Sequence, residues 1–253
     1  MKLKIAKGGR RLRALKRRGT QGLSLLPHLF TLGNLAAGVV STIFTMEGSY
    51  TLGALAVFAS MLFDALDGRM ARWLRVQGDF GKQLDSLADL VAFGAAPALL
   101  MYRLNLQYLG YPGMAIAVLF PVAGALRLAR FNLIKTTGYF IGLPITAAGG
   151  LVASFVIYGR KLDHWAFSAA MVVIALLMVS AIRYPDFKKA SWRQIRVAPF
   201  VLPTLATLVI LRASPRTVFF LPLLIYAASG VYLKLVQGWD RSVAPLLRNA
   251  TGR

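Results

Sequence analysis

The stretch FDALDGRMARWLRVQGDFGKQLDSLADL, residues 63–90, decides how the rest of the chain is read. It holds five of the nine acidic residues in a chain of 253, and it lies between runs that read as hydrocarbon-spanning. Asp64 and Asp67 are three residues apart, and Asp85 and Asp89 are four apart. On a helix either spacing puts both carboxylates on one face. Two helices joined by a polar turn near Arg75–Gly81 would aim four carboxylates at one point. An oxygen cluster of that kind suits hard divalent cations, and phosphate chemistry uses such cations.

The flanks are apolar. The chain is 57% apolar and only 15% charged, and it has no cysteine; a soluble domain would be about a quarter charged. Disulfides and thiolate metal sites are thereby excluded. Runs of about 20 apolar residues, enough to cross a bilayer, recur at 27–46, 51–74, 82–102, 111–133, 143–159, 165–182, 197–212 and 217–236. The expected fold is all-α: a polytopic bundle of about eight transmembrane helices in a prokaryotic-type cell membrane. No repeat and no Pro-, Ser- or Gln-rich linker divides it.

The net charge is +21. Basic loops at an anionic cytoplasmic surface account for it more simply than nucleic acid does, so no nucleic-acid partner is expected. With the N-terminus inside, segments 1–26, 68–82, 127–140, 183–196 and 234–253 carry nine, four, three, five and four of the 30 Lys and Arg residues. The outer loops keep only Arg103, Arg160, Lys161, Arg212 and Arg216. This bias predicts eight spans, both termini cytoplasmic and the four aspartates at the cytoplasmic face. The basic segment 1–22 has two compatible readings. It anchors to membrane lipid, at about 1 kcal/mol per basic residue, or it only sets orientation. The apolar run after it is longer than the ~7–15 residues of a signal-peptide core, so cleavage is not expected.

An ionised Asp at the centre of a lipid-exposed helix costs about 2.5–3.5 kcal/mol. Four of them must sit near the interface, line a wet cavity, pair with arginine or bind metal. Arg69, Arg72, Arg75 and Lys82 are near enough in sequence for a structural ion-pair network. The small residues favour a ligand. Gly68 and Ala71 clear a stripe beside Asp67, and Gly81 does the same one turn before Asp85, so that a ligand or a helix can approach the backbone. Arg72 could set its guanidinium beside phosphate oxygens.

The pattern Asp64-x-x-Asp67-Gly68-x-x-Ala71-Arg72, eight further residues, then Gly81-x-x-x-Asp85-x-x-x-Asp89 resembles the full signature of the CDP-alcohol phosphotransferases, with every fixed position filled. The resemblance implies a six-helix membrane core open to the cytoplasm, in which an alcohol displaces CMP from a CDP-linked substrate. It implies that Asp64, Asp67, Asp85 and Asp89 hold two divalent metal ions, Mg or Mn, and that Asp89 is also the general base. Gly68, Ala71 and Gly81 would face the cytidine nucleotide, with Arg72 at its phosphates. A homodimer is implied as well. The organisation that follows is a basic segment at 1–22, a catalytic core at 23–190, two further transmembrane helices at 191–236 and a cytoplasmic tail at 237–253.

Three more blocks bear on the acceptor: LFTLGNLAAG at 29–38, ALRLARFNLIKTTGYFIGLPITAAGG at 125–150 and MVSAIRYPDFK at 178–188. They resemble the branch of that family whose donor is CDP-diacylglycerol and whose acceptor is L-serine. Arg127 and Arg130 are one turn apart and could share a cavity, one taking a lipid-side phosphate and the other an acceptor carboxylate. Equally, both could be interface arginines. Thr31 and Asn34 share a face of the first span and are candidate nucleotide contacts; for Asn34, which needs a partner in an apolar helix, a helix-to-helix hydrogen bond is the other reading. His28 stands where that branch often has Asn after Pro27 and is read as structural. Rival readings are a sister enzyme using glycerol 3-phosphate or inositol phosphate, an ether-lipid donor, a divalent-cation transporter, and a non-enzymatic lipid-binding scaffold.

Overall fold

Hydropathy places the helices, and proline and glycine shape them. The computed structural model describes residues 28–74, 78–133, 139–158, 163–185, 220–232 and 234. The expectations for segment 1–22, the span at 197–212 and the tail at 237–253 lie outside these residues. Helix α1 is His28–Met46 and α2 is Tyr50–Leu74. The next run, Asp79–Leu104, comprises α3 (Asp79–Asp89), a π-helical segment (Leu90–Ala95) and α4 (Ala96–Leu104). Helix α5 is Tyr111–Leu133. These four stretches have the length and composition to cross a membrane. Helices α6 (Ile145–Tyr158), α7 (His164–Val179) and α8 (Phe220–Tyr232) are apolar but shorter.

The run Asp79–Leu104 supplies much of the core, with Ala92, Phe93, Ala96, Leu100 and Met101 fully buried. Its π-helical segment has a chemical cause. Pro97 has no N–H to return to the carbonyl of Phe93, and its ring crowds that carbonyl. The chain answers by widening one turn, and Ala96 N–H reaches back to Val91 O. Neighbouring helices exploit the bared backbone. A Cβ on Gly38 of α1 would lie 2.7 Å from Cα of Ala92, and one on Gly149 of α6 would lie 2.7 Å from Cα of Phe93. Only glycine lets the two helices approach so closely. Along α1 and α5, meanwhile, Leu32, Ile43, Val118, Val122 and Leu126 are exposed, an apolar belt suited to lipid tails.

Among the described residues, a short antiparallel ladder interrupts the all-α pattern. Strand β1 (Tyr139–Ile141) pairs with β2 (Arg183–Pro185), Phe140 opposite Tyr184. It closes the end of the bundle reached by the C-termini of α5 and α7. Tyr184 is fully buried, and burial pushes its phenol up to about 12. It therefore stays protonated and donates to Ala227 O of α8 at 3.2 Å.

Candidate active site

Helices α2 and α3 each deliver two aspartates to the same end of the bundle. The carboxylates of Asp64, Asp85 and Asp89 lie within 4.8 Å of one another. Asp89 is buried, while Asp64 and Asp85 are partly so. Like charges so close repel strongly away from bulk water, and an all-carboxylate donor set fits a hard divalent cation. Asp67 stands outside this triad. It too is buried, and its Oδ2 accepts a hydrogen bond from Thr31 Oγ1.

Helix α1 holds the second partner. Asn34 Nδ2 donates to Asp89 Oδ1 at 3.0 Å, and Ser60 Oγ of α2 donates to Asn34 O at 3.1 Å. Thr31 and Asn34 thus make helix-to-helix hydrogen bonds, each to a signature aspartate. Asn132 Nδ2 donates to Ser86 Oγ at 3.0 Å and ties the end of α5 to α3 beside Asp85. One ion pair, Lys82 to Asp79 at 3.6 Å, lies on the exposed first turn of α3, outside the triad.

The small residues divide. A Cβ on Gly68 would meet nothing within 4 Å, so the surface beside Asp67 is open. Ala71 is partly buried next to it. Arg72 is exposed, and its Nε donates to Gly68 O at 2.8 Å. At Gly81 the clearance admits His28 instead: a Cβ there would lie 3.0 Å from the imidazole Cε1. That ring stands edge-on to Phe80, centroids 5.6 Å apart. Here His28 packs as a structural residue.

Arg127 and Arg130 part company although they are one turn apart. The Arg130 guanidinium donates to four carbonyls, Val179 O at 2.9 Å, Ser180 O at 3.0 Å, and Ile141 O and Met178 O at 3.2 Å. It caps α7 and fastens β1 to it. Arg127 is only 6% exposed, its Cζ 5.1 Å from the Phe131 ring centroid, and its charge acts on Asp89 and Asp64. Among the described residues its Nε has no hydrogen-bond partner.

Two features escape the sequence reading. Ser60 precedes Asp64 by four residues, so the face it shares with the aspartates was a usable signal. Tyr226 of α8 comes close enough to Arg127 to act on its charge, and only tertiary packing brings it there.

A sequence profile of the CDP-alcohol phosphatidyltransferase family matches residues 24–182. The chain is 40% identical over 179 residues to CDP-diacylglycerol--serine O-phosphatidyltransferase of Helicobacter pylori, covering 67% of this chain and 76% of that protein. It is 34% identical over 168 residues to the protein of the same name from Bacillus subtilis (66% of this chain, 93% of that one). It is 37% identical over 166 residues to archaetidylserine synthase of Methanothermobacter thermautotrophicus (63% and 69%).

Proposed function

This chain belongs to the CDP-alcohol phosphatidyltransferase family, and on that premise we propose that it transfers the phosphatidyl group of CDP-diacylglycerol to L-serine. The products are phosphatidylserine and CMP. The names of its bacterial relatives supply the acceptor. The observation that carries the chemistry is the convergence of Asp64, Asp85 and Asp89 from two helices.

The serine Oγ attacks the phosphatidyl phosphorus, a new P–O bond forms, and the P–O bond to CMP breaks. Asp89 takes the hydroxyl proton, and Asn34 holds its other oxygen in place. Asp64, Asp85 and Asp89, with Asp67, would hold two divalent metal ions, Mg or Mn. When bound, these ions neutralise the diphosphate and the charge that grows on departing CMP. Gly68 and Ala71 leave room for the cytidine nucleotide, and Arg72 lies within reach of its phosphates. The lipid tails remain in the bilayer beside the apolar belt.

The wider frame belongs to the same proposal: eight spans in the cell membrane, both termini and the site on the cytoplasmic side, and a homodimer. The catalytic core is 23–190, with 191–236 as an added pair of helices. The test is CMP release by purified protein given CDP-diacylglycerol, a divalent metal and one acceptor at a time, with the lipid product identified by mass. Release with L-serine and formation of phosphatidylserine are expected. Release only with glycerol 3-phosphate or inositol phosphate would overturn the acceptor. Metal uptake into proteoliposomes without CMP release would point to a transporter. A parallel ether-lipid donor separates the archaeal chemistry named in one relative.

A further inference from the structure

Two side-chain atoms near Asp89 are buried without a partner among the described residues: Asn34 Oδ1, an acceptor, and Arg127 Nε, a donor. Asn34 is 0% exposed and Arg127 6%. Buried polar atoms nearly always find a partner, and a buried arginine with an open N–H is costly to keep. The Asn34 amide is oriented by its neighbour, because Asp89 in the ionised form that a base needs can only accept, so Nδ2 faces the carboxylate and Oδ1 faces away from it. Arg127 presents a positive charge to the same neighbourhood. Arg130, the other candidate one turn on, has spent its guanidinium on four carbonyls.

The unmet groups are complementary to one kind of molecule. An acceptor atom beside a base asks for a donor, and a cationic N–H asks for an anion. We infer that Asn34 and Arg127 form a receptor for a zwitterionic α-amino acid, Asn34 Oδ1 taking its ammonium and Arg127 its carboxylate, with the hydroxyl left facing Asp89. This rests on the serine reading above and deepens it. Asn34 then has two duties through its two amide atoms: Nδ2 positions the base and Oδ1 contacts the substrate. The receptor also explains rejection of other alcohols. Ethanolamine leaves Arg127 unpaired, and a hydroxy acid leaves Asn34 unpaired. Sites built around buried polar groups discriminate in this way.

The experiment uses the full chain in lipid nanodiscs with CDP-diacylglycerol and manganese. L-serine, ethanolamine (no carboxylate) and 3-hydroxypropionate (no ammonium) are compared as substrates or, where turnover is too slow, as competitive inhibitors. Ratios between acceptors cancel any general catalytic damage. In Arg127→Gln the preference for serine over ethanolamine should shrink by roughly 10- to 100-fold, the worth of a hydrogen bond to a charged group. Its preference for serine over 3-hydroxypropionate should stay. Asn34→Ala should do the reverse, whatever its loss in kcat. Should Arg127→Gln not fold, Arg127→Met tests the same ratio, since it keeps the apolar stem but removes the charge and every donor. A variant that lowers all three acceptors alike would overturn the inference while leaving the serine reading intact. Wild-type protein that releases CMP with glycerol 3-phosphate and not with serine would overturn both.

Discussion

The two ends of the bundle treat buried polar groups in opposite ways. Where α4 hands over to α5, the buried Asn105 and Ser168 are both paired, each with a group of the exposed His164. Asn105 Oδ1 lies 2.7 Å from His164 Nδ1, and the Tyr108 and His164 rings are 5.0 Å apart. His164 N–H donates to Asp163 Oδ1 at 2.8 Å as an N-cap, and Ser168 Oγ donates to His164 O at 2.8 Å. At the carboxylate end, three acids crowd within 4.8 Å, and Asn34 Oδ1 and Arg127 Nε have no partner among the described residues. Unsatisfied buried groups cost stability. Ser41 Oγ, further along α1, is the third such atom among the described residues, but only around the carboxylates do an unmet acceptor and an unmet cationic donor accompany crowded acids. The carboxylate end keeps those groups for what it binds.

The largest effect should come from removing what the carboxylate end holds. Chelation of divalent ions should abolish CMP release, and added Mg or Mn should restore it and raise the thermal midpoint, since a ligand of the folded state stabilises it. Unchanged release after thorough chelation would break the comparison at its strongest point. Next comes Gly68→Leu. The open space there lets it fold at a midpoint no lower than wild type, while KM for CDP-diacylglycerol rises by roughly tenfold or more through overfilling. An unchanged donor KM would take the nucleotide away from this surface.

At the opposite end the pattern should invert. Asn105→Ala removes the contact to the His164 ring, which is exposed and can turn to water, and should cost about 0.5–1.5 kcal/mol of stability, read from the unfolding midpoint, with KM and kcat for serine unmoved. The smallest effect is expected from Tyr184→Phe, which removes one hydrogen bond to α8, about 1 kcal/mol. Wild-type kinetics in that variant would mark α8 as a support at this contact. A changed serine KM would bring α8, and with it Tyr226, into the acceptor site.

Helix placement was legible because long apolar runs leave little choice. The runs at 51–74 and 111–133 become Tyr50–Leu74 and Tyr111–Leu133. The aspartate triad was legible too, since three- and four-residue spacings on two helices fix a face. Finer divisions were not. Arg127 and Arg130 differ by only about 60° around a helix, yet that is enough to aim one at Asp89 and the other at the end of α7. Asp67 follows the helical rule and still leaves the triad, because Thr31 of another helix supplies a donor. The ladder at Tyr139–Ile141 rests on a pairing over 40 residues away in the chain, which no local pattern announces. His28 departs from the family wording, and its packing against Phe80 and Gly81 shows why a ring suits that position.

The most direct measurement sets the two ends side by side: serine-dependent CMP release by wild type, Asp89→Asn and Asn105→Ala, each confirmed folded. Asp89→Asn should lose roughly 10²- to 10⁴-fold in kcat, the usual contribution of a positioned base, and Asn105→Ala should keep wild-type turnover. An Asp89→Asn enzyme that turns over normally, or equal losses in both variants, would contradict the assignment of chemistry to the carboxylate end.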